Sequence, residues 1–157
     1  ATTGHQNKRP HNIVNSLYLD PNELEQKVVE RFKRYEIIKE KEPMAEEYLV
    51  DDADIVLVSF GATARIVKSA VNSARSMGIK AGMIRPITLW PFPKKEIGRY
   101  ADKVKGILSV ELNAGQMVED VRLAVECRVK VEHFGRLGGI VFTPNEVLEA
   151  LKEKIIG

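Results

Sequence analysis

One cysteine, Cys127, stands in 157 residues. A lone thiol closes no internal disulfide and cannot supply the several thiolates that hold an iron–sulfur cluster. Histidine is nearly as scarce. His5, His11 and His133 have no metal-ligand spacing with one another, with carboxylates or with Cys127, and no metal site is expected. No apolar run approaches the roughly 20 residues of a membrane helix, and ATTGHQNKRPHN at the start lacks both the apolar core of a secretory signal and an initiator Met. The expectation is a cytoplasmic chain without membrane contact, cut down or processed from a longer polypeptide. Neither a GxGxxG fingerprint nor a GxxxxGK phosphate loop occurs, which removes the usual support for nucleotide binding. Charge of one sign is missing too: the net is +2, the basic group His5, Lys8, Arg9 and His11 is small and terminal, and no nucleic-acid partner is implied.

What is present reads as one compact soluble domain, with 44% hydrophobic and 29% charged residues in balance. Residues 1–20 form a polar, irregular tail or linker. Asp20-Pro21 then opens a helix, Asp as N-cap and Pro in the first turn, running to about Lys41 with one narrow apolar stripe at Leu24, Val28, Phe32 and Tyr35. Pro43 stops this linker helix, 21–43, and Glu47 to Val50 reads as an edge strand. From 44 to 157 strands and helices alternate. DIVLVSF is a nearly continuous apolar β run, followed by helical spacing through Ile66, Val67, Ala70 and Ala74 up to Gly78. KAGMIRP, GILSVEL and VKVEHF read as further strands. Helices are expected from about Lys94, from Ala114 to Cys127 and from Pro144 to Ile155. Cys127 continues the spacing of Val121, Ala124 and Val125, so it is expected as a small buried hydrophobe. The pattern predicts an α/β fold, a three-layer α/β/α sandwich with a mostly parallel sheet of about five strands, preceded by an N-terminal helix.

Ligand-facing loops in such a sheet lie at the carboxyl ends of the strands. Ser59-Phe60-Gly61-Ala62-Thr63 turns straight into a helix. Either Gly61 makes the turn while Ser59 or Thr63 caps the helix, or the helix start holds an anion or a partner carboxylate. Asn113 and Gln116 have the spacing of a capping box, and Glu111, at a strand end, is expected to meet a cation or backbone donors in this domain or a neighbouring one. In Arg85-Pro86-Ile87-Thr88-Leu89-Trp90-Pro91-Phe92-Pro93, prolines stiffen a loop carrying two large aromatics. Trp90 and Phe92 either dock on a partner or fold back onto their own domain. Gly135-Arg136-Leu137-Gly138-Gly139 reads as a surface loop, or as an anion nest with Arg136 beside it. No nucleophile–base set is visible, so no catalytic residue is assigned.

The segments NSLYLDPNELE, SFGATARI, RPITLWPFP, ELNAGQM and GRLGG, in this order, resemble the C-terminal, transketolase C-terminal-like part of the α subunit of 2-oxoacid:ferredoxin oxidoreductases. The likeness runs from roughly Val14 to Ile156 and is closest to the 2-oxoisovalerate type, though the 2-oxoglutarate type shares much of the pattern. It implies a parent complex that decarboxylates a 2-oxoacid on thiamine diphosphate with magnesium, passes electrons through iron–sulfur clusters to ferredoxin and captures the acyl group on coenzyme A. The implied partners are a β subunit with the diphosphate-binding domain, and γ-type and ferredoxin-like subunits. The diphosphate motif beginning GDG is absent here. A non-catalytic assembly domain, binding no cofactor by itself, is therefore implied, with Ser59, Gly61, Thr63, Arg85, Trp90, Phe92, Glu111, Asn113, Gln116, Arg136 and Gly138 as interface or loop positions. The alternative is a stand-alone module that binds a phosphate-bearing ligand such as coenzyme A through the Gly61 and Gly138 loops.

Overall fold

A computed structural model describes residues 4–6, 8–11, 13 and 15–157, and the chain divides into two compact units, Ala1–Ile37 and Ile38–Gly157. Parts of the expected tail, and Val14 where the resemblance begins, lie outside the described residues. Within the first unit His5 Nε2 and His11 Nδ1 are 3.0 Å apart. Helix α1 spans Pro21–Lys41, and its start is fixed as the sequence suggests: Asp20 Oδ1 accepts the N–H of Asn22 at 2.8 Å. No residue of α1 is buried, and the ring of Phe32 meets Tyr35 edge-on along the expected stripe.

The second unit is built on a five-stranded sheet. Its strands are β1 (Ala45–Tyr48), β2 (Ile55–Val58), β3 (Ala81–Pro86), β4 (Gly106–Glu111) and β5 (Val131–Gly135), in the spatial order β1-β3-β2-β4-β5. Only β1 is antiparallel, pairing Ala45 with Pro86 and Tyr48 with Met83. The other four strands are joined by parallel crossovers through α2 (Thr63–Ser76), α3 (Lys94–Gly98) and α4 (Met117–Val125), and α5 (Pro144–Leu151) continues into a π-helical turn over Lys152–Ile156.

Alternation along β2 assigns the two faces. Ile55 and Leu57 join a core with Val67, Val71 and Ala74 of α2 and Val147 and Leu151 of α5. Val56 and Val58 join the opposite core with Ile97 of α3 and Val121 and Val125 of α4. Two-residue periodicity in the strands and helical periodicity above and below thus produce the α/β/α layering expected from the sequence. The central strands, sealed on both faces, are the source of the continuous apolar runs.

One helix end differs from expectation. Helix α4 stops at Val125, and Glu126 and Cys127 follow with φ of 52° and 58°, in left-handed conformation. The turn swings Cys127 outward, and the thiol is exposed rather than buried. Periodicity continued past the point where the helix ends.

Candidate functional site

The carboxyl ends of β2, β4 and β5 form one edge of the sheet. Here β2 runs through Ser59 into a turn at Gly61, whose φ of +60° is a left-handed conformation that costs a side-chain-bearing residue roughly 1 kcal/mol or more. The hydroxyls do not cap the helix that follows. Ser59 Oγ donates to the carbonyl of Val110 at 3.0 Å and lies 2.7 Å from Thr63 Oγ1, which bonds the carbonyl of Phe60 at 2.5 Å. Both are buried; Ser59 ties the end of β2 to β4, and Thr63 ties the start of α2 to the turn before it. The N-cap of α2 is Ala62, without a side-chain acceptor.

Glu111 is 0% exposed, yet it is surrounded by donors. Oε2 accepts the N–H groups of Met117 (2.7 Å) and Gln116 (3.2 Å), and Oε1 those of Val118 (2.9 Å) and the Ser109 hydroxyl (3.1 Å). Two carboxylate oxygens offer about four lone-pair sites, so the acceptor capacity is filled. His133 Nε2, at 3.9 Å from Oε1, stands outside hydrogen-bond range. Burial pushes the Glu111 carboxyl up, but the amides of Met117, Gln116 and Val118 outweigh it and hold the group below its ordinary value of 4.5. The side chain is a helix cap supplied from the preceding strand.

This overturns the capping box read at Asn113 and Gln116. Asn113 Oδ1 instead accepts from the N–H of Gly115 at 2.7 Å, closing a local turn, and Gln116 is the N-cap residue with no capping bond from its side chain. Helix α4 begins at Met117, not Ala114, because the Asn113–Gly115 turn must finish first. Gly135 leaves room for that turn: a Cβ there would lie 2.3 Å from the Asn113 carbonyl oxygen. A capping box does occur in α5. The N–H of Glu146 donates to Thr143 Oγ1 (3.3 Å) and the N–H of Thr143 donates to Glu146 Oε2 (2.7 Å). Arg136 donates to the other oxygen of Glu146, so its charge is engaged with α5, and Gly138, with φ of +65°, turns in open space.

The remaining candidates lie on β3 and after it. Arg85 Nη1 meets Glu46 Oε2 at 3.1 Å, a half-exposed pair across the β1–β3 register worth at most about 1 kcal/mol. The two aromatics separate: Phe92 is 8% exposed and sits in the α3/α4 core, while Trp90 is 56% exposed. Sequence reasoning missed Ser109, which supports Glu111, and the Thr143–Glu146 box, although its T-x-x-E spelling was available.

Residues 53–147 match the pattern of the pyruvate:ferredoxin oxidoreductase core domain II, well over half of the chain. The chain belongs to this core domain II family. It is 46% identical over 142 residues to the ketoisovalerate oxidoreductase subunit VorB of Methanothermobacter thermautotrophicus, covering 90% of this chain and 40% of that protein. It is 42% identical over 101 residues to the 2-oxoglutarate synthase subunit KorA of Methanothermobacter marburgensis, covering 64% of this chain and 27% of that protein. The chain thus spans 40% or less of the length of these relatives. The fold of a 2-oxoglutarate:ferredoxin oxidoreductase from Magnetococcus marinus, solved with 2-oxoglutarate, coenzyme A and succinyl-CoA bound, superposes with a TM-score of 0.73 at 24% identity, over 88% of this chain and 24% of that one. A split-gene transketolase matches the fold with a TM-score of 0.61 at 16% identity, over 72% of this chain and 41% of that one.

Two residue types that could hold an iron–sulfur cluster or a magnesium ion are accounted for otherwise in this domain. Its one thiol is a single exposed ligand, and the Glu111 carboxylate has no lone pair left for a magnesium ion or a proton transfer. Among the described residues no group of three His, Cys, Asp or Glu side chains is arranged to hold a metal ion, and no helix is long and apolar enough to cross a membrane.

Proposed function

We propose that the chain is the non-catalytic assembly domain of the α-type subunit of a thiamine diphosphate-dependent 2-oxoacid:ferredoxin oxidoreductase acting on a 2-oxoacid such as 2-oxoisovalerate. The observation that carries this reading is the 46% identity, over 90% of the chain, to a ketoisovalerate oxidoreductase subunit. Two features of the chain support the non-catalytic part. The best-placed carboxylate, Glu111, is spent on the start of α4, the Ser59 hydroxyl on joining the end of β2 to β4, and the Thr63 hydroxyl on the Phe60 carbonyl of the intervening turn. Residues 1–20 lead in, 21–43 form the linker helix and 44–157 the assembly domain.

In this reading thiamine diphosphate with magnesium, the iron–sulfur clusters and coenzyme A are held by other parts of a cytoplasmic complex. The β subunit with its diphosphate-binding domain and the γ-type and ferredoxin-like subunits are the partners, with ferredoxin as electron acceptor. Arg85, Trp90, Asn113, Gln116, Arg136 and the Gly61 and Gly138 turns are the positions offered to them. The test is reconstitution: the chain alone should not reduce a viologen dye with 2-oxoisovalerate and coenzyme A, whereas the complex containing it should. Turnover by the chain alone would overturn the non-catalytic reading, and absence of the chain from the isolated complex would overturn the assembly reading.

A further inference from the structure

Within the Ile38–Gly157 unit, the first two turns of α2 and the strands β1 and β3 enclose a cavity of about 210 Å³. That is below the roughly 300 Å³ at which sites for whole drug-sized molecules begin, and it suits a single ionic group. Its apolar lining comes from Ala64 and Met83, both buried. At Gly61 a Cβ would meet nothing within 4 Å, so the backbone there is open to a ligand.

Arg65, Lys68 and Arg85 line the cavity against one carboxylate, Glu46, which leaves two positive charges in excess. Glu46 is shared: Oε2 meets Arg85 Nη1 at 3.1 Å, and Oε1 lies 4.0 Å from Lys68 Nζ. Arg65 is exposed and makes no ion pair among the described residues. The Arg85 guanidinium spends Nη1 on Glu46, while its Nε–H is buried without an acceptor, a donor that costs free energy until something accepts from it. The start of α2, with no side-chain acceptor at Ala62, adds the positive end of a helix to the same field. Apolar neighbours reduce the screening of these charges. A carboxylate, singly charged, would cancel half of the excess. A phosphate group carries close to two negative charges and three strong acceptor oxygens, which match the excess and the forked donors of two arginines.

We propose that this cavity is a phosphate site, in which Arg65 and Arg85 bind a dianionic phosphate group, free or on a small phosphomonoester, and Lys68 supplies supporting charge. The site is additional to the assembly role and does not rest on it. NMR titration of the full, isotope-labelled chain with inorganic phosphate, methyl phosphate and acetate, at about pH 7.5 and matched ionic strength, tests it. Inorganic phosphate should give shifts that saturate in the millimolar range at the amides of Gly61 and Ala62 and at the Nε–H of Arg65 and Arg85, and acetate should give none. Tighter binding of methyl phosphate assigns the site to an ester, and equal or weaker binding to the free ion. Arg65→Gln should weaken phosphate binding about tenfold, the loss of one charge-assisted contact, and Arg85→Gln at least as much. Because Arg65 is exposed and unpaired, its variant decides the matter if Arg85→Gln does not fold. Lys95→Gln, on α3 and outside the cavity, should bind phosphate as wild type does. Absence of saturation, acetate binding as tightly as phosphate, an unchanged affinity in Arg65→Gln or an equal loss in Lys95→Gln would overturn the proposal. Any of these leaves the assembly reading standing, since reconstitution tests that separately.

Discussion

Two helices start at the same edge of the sheet, and they start differently. Strand β4 feeds α4 through a turn in which the Glu111 carboxylate reaches forward and satisfies the first amides of the helix. Strand β2 feeds α2 through Gly61, where the two nearby hydroxyls point back to Val110 and Phe60 and the N-cap is an alanine. One start is closed by a buried negative charge complementing the positive end of the helix; the other has one hydroxyl committed to the sheet and one to the turn. The contrast shows why a polar residue beside a helix start is a poor guide to its task. Its partner is decided by which strand lies next to it, and that is a matter of topology.

Breaking the closed start should have the largest effect. Glu111→Ala removes the acceptor from three buried or half-buried amides and should cost about 3 to 5 kcal/mol in denaturant unfolding of the chain. Glu111→Gln keeps the shape and should cost less, and its dependence on acidity is the sharper check. Because the folded carboxyl is held below 4.5, its ionised form adds stability above its ordinary titration range, and this is lost as pH falls through the depressed folded value. The gap in unfolding free energy between wild type and Glu111→Gln should therefore be full near neutrality and narrow below about pH 4.5. A gap that does not change between pH 7 and pH 3 would remove the charge from the explanation.

A smaller effect belongs to the box at α5. Thr143→Ala deletes one side of a reciprocal cap and should cost about 1 kcal/mol, seen as a lowered thermal midpoint. The smallest concerns the open start. Ala62→Asp places a negative charge at the first amides of α2 and should raise stability by about 0.5 kcal/mol, most clearly at low salt. No gain there would mean that the amides of α2 are already as well solvated as a cap would make them.

The layers were legible because burial on both faces writes a plain signal: Ile55 to Val58 are all buried, and the spacing Ile66, Val67, Ala70, Ala74 marks the face of α2 that covers them. The Asp20-Pro21 start was legible for a similar reason, since that cap is local. The candidate site was legible only as a set of positions. Asn113 and Gln116 have the spacing of a cap, but the capping group is Glu111, and choosing between them requires knowing that the β4 end lies beneath the first turn of α4. Cys127 was misplaced because side-chain periodicity carries no record of where backbone hydrogen bonding stops. Trp90 and Phe92 were read as a pair, yet with Pro91 between them they meet different surroundings, and one entered the core while the other did not.

Strand β1 has a consequence for the order of events in folding. It pairs with β3, not with β2, which follows it in the chain, so its docking edge does not exist until β2, α2 and β3 have come together. Its side chains are all only half-buried, and its charged ties run to Arg85 of β3 and, through Glu47, to Arg99 and Tyr100 beyond α3. A strand that must wait for its template and is held mainly at the rim is the natural place for the sheet to open first. The amides of residues 45–48 should then form a weakly protected unit, exchanging their hydrogens through local detachment, while those of β2 and β4 should exchange only when the whole domain unfolds.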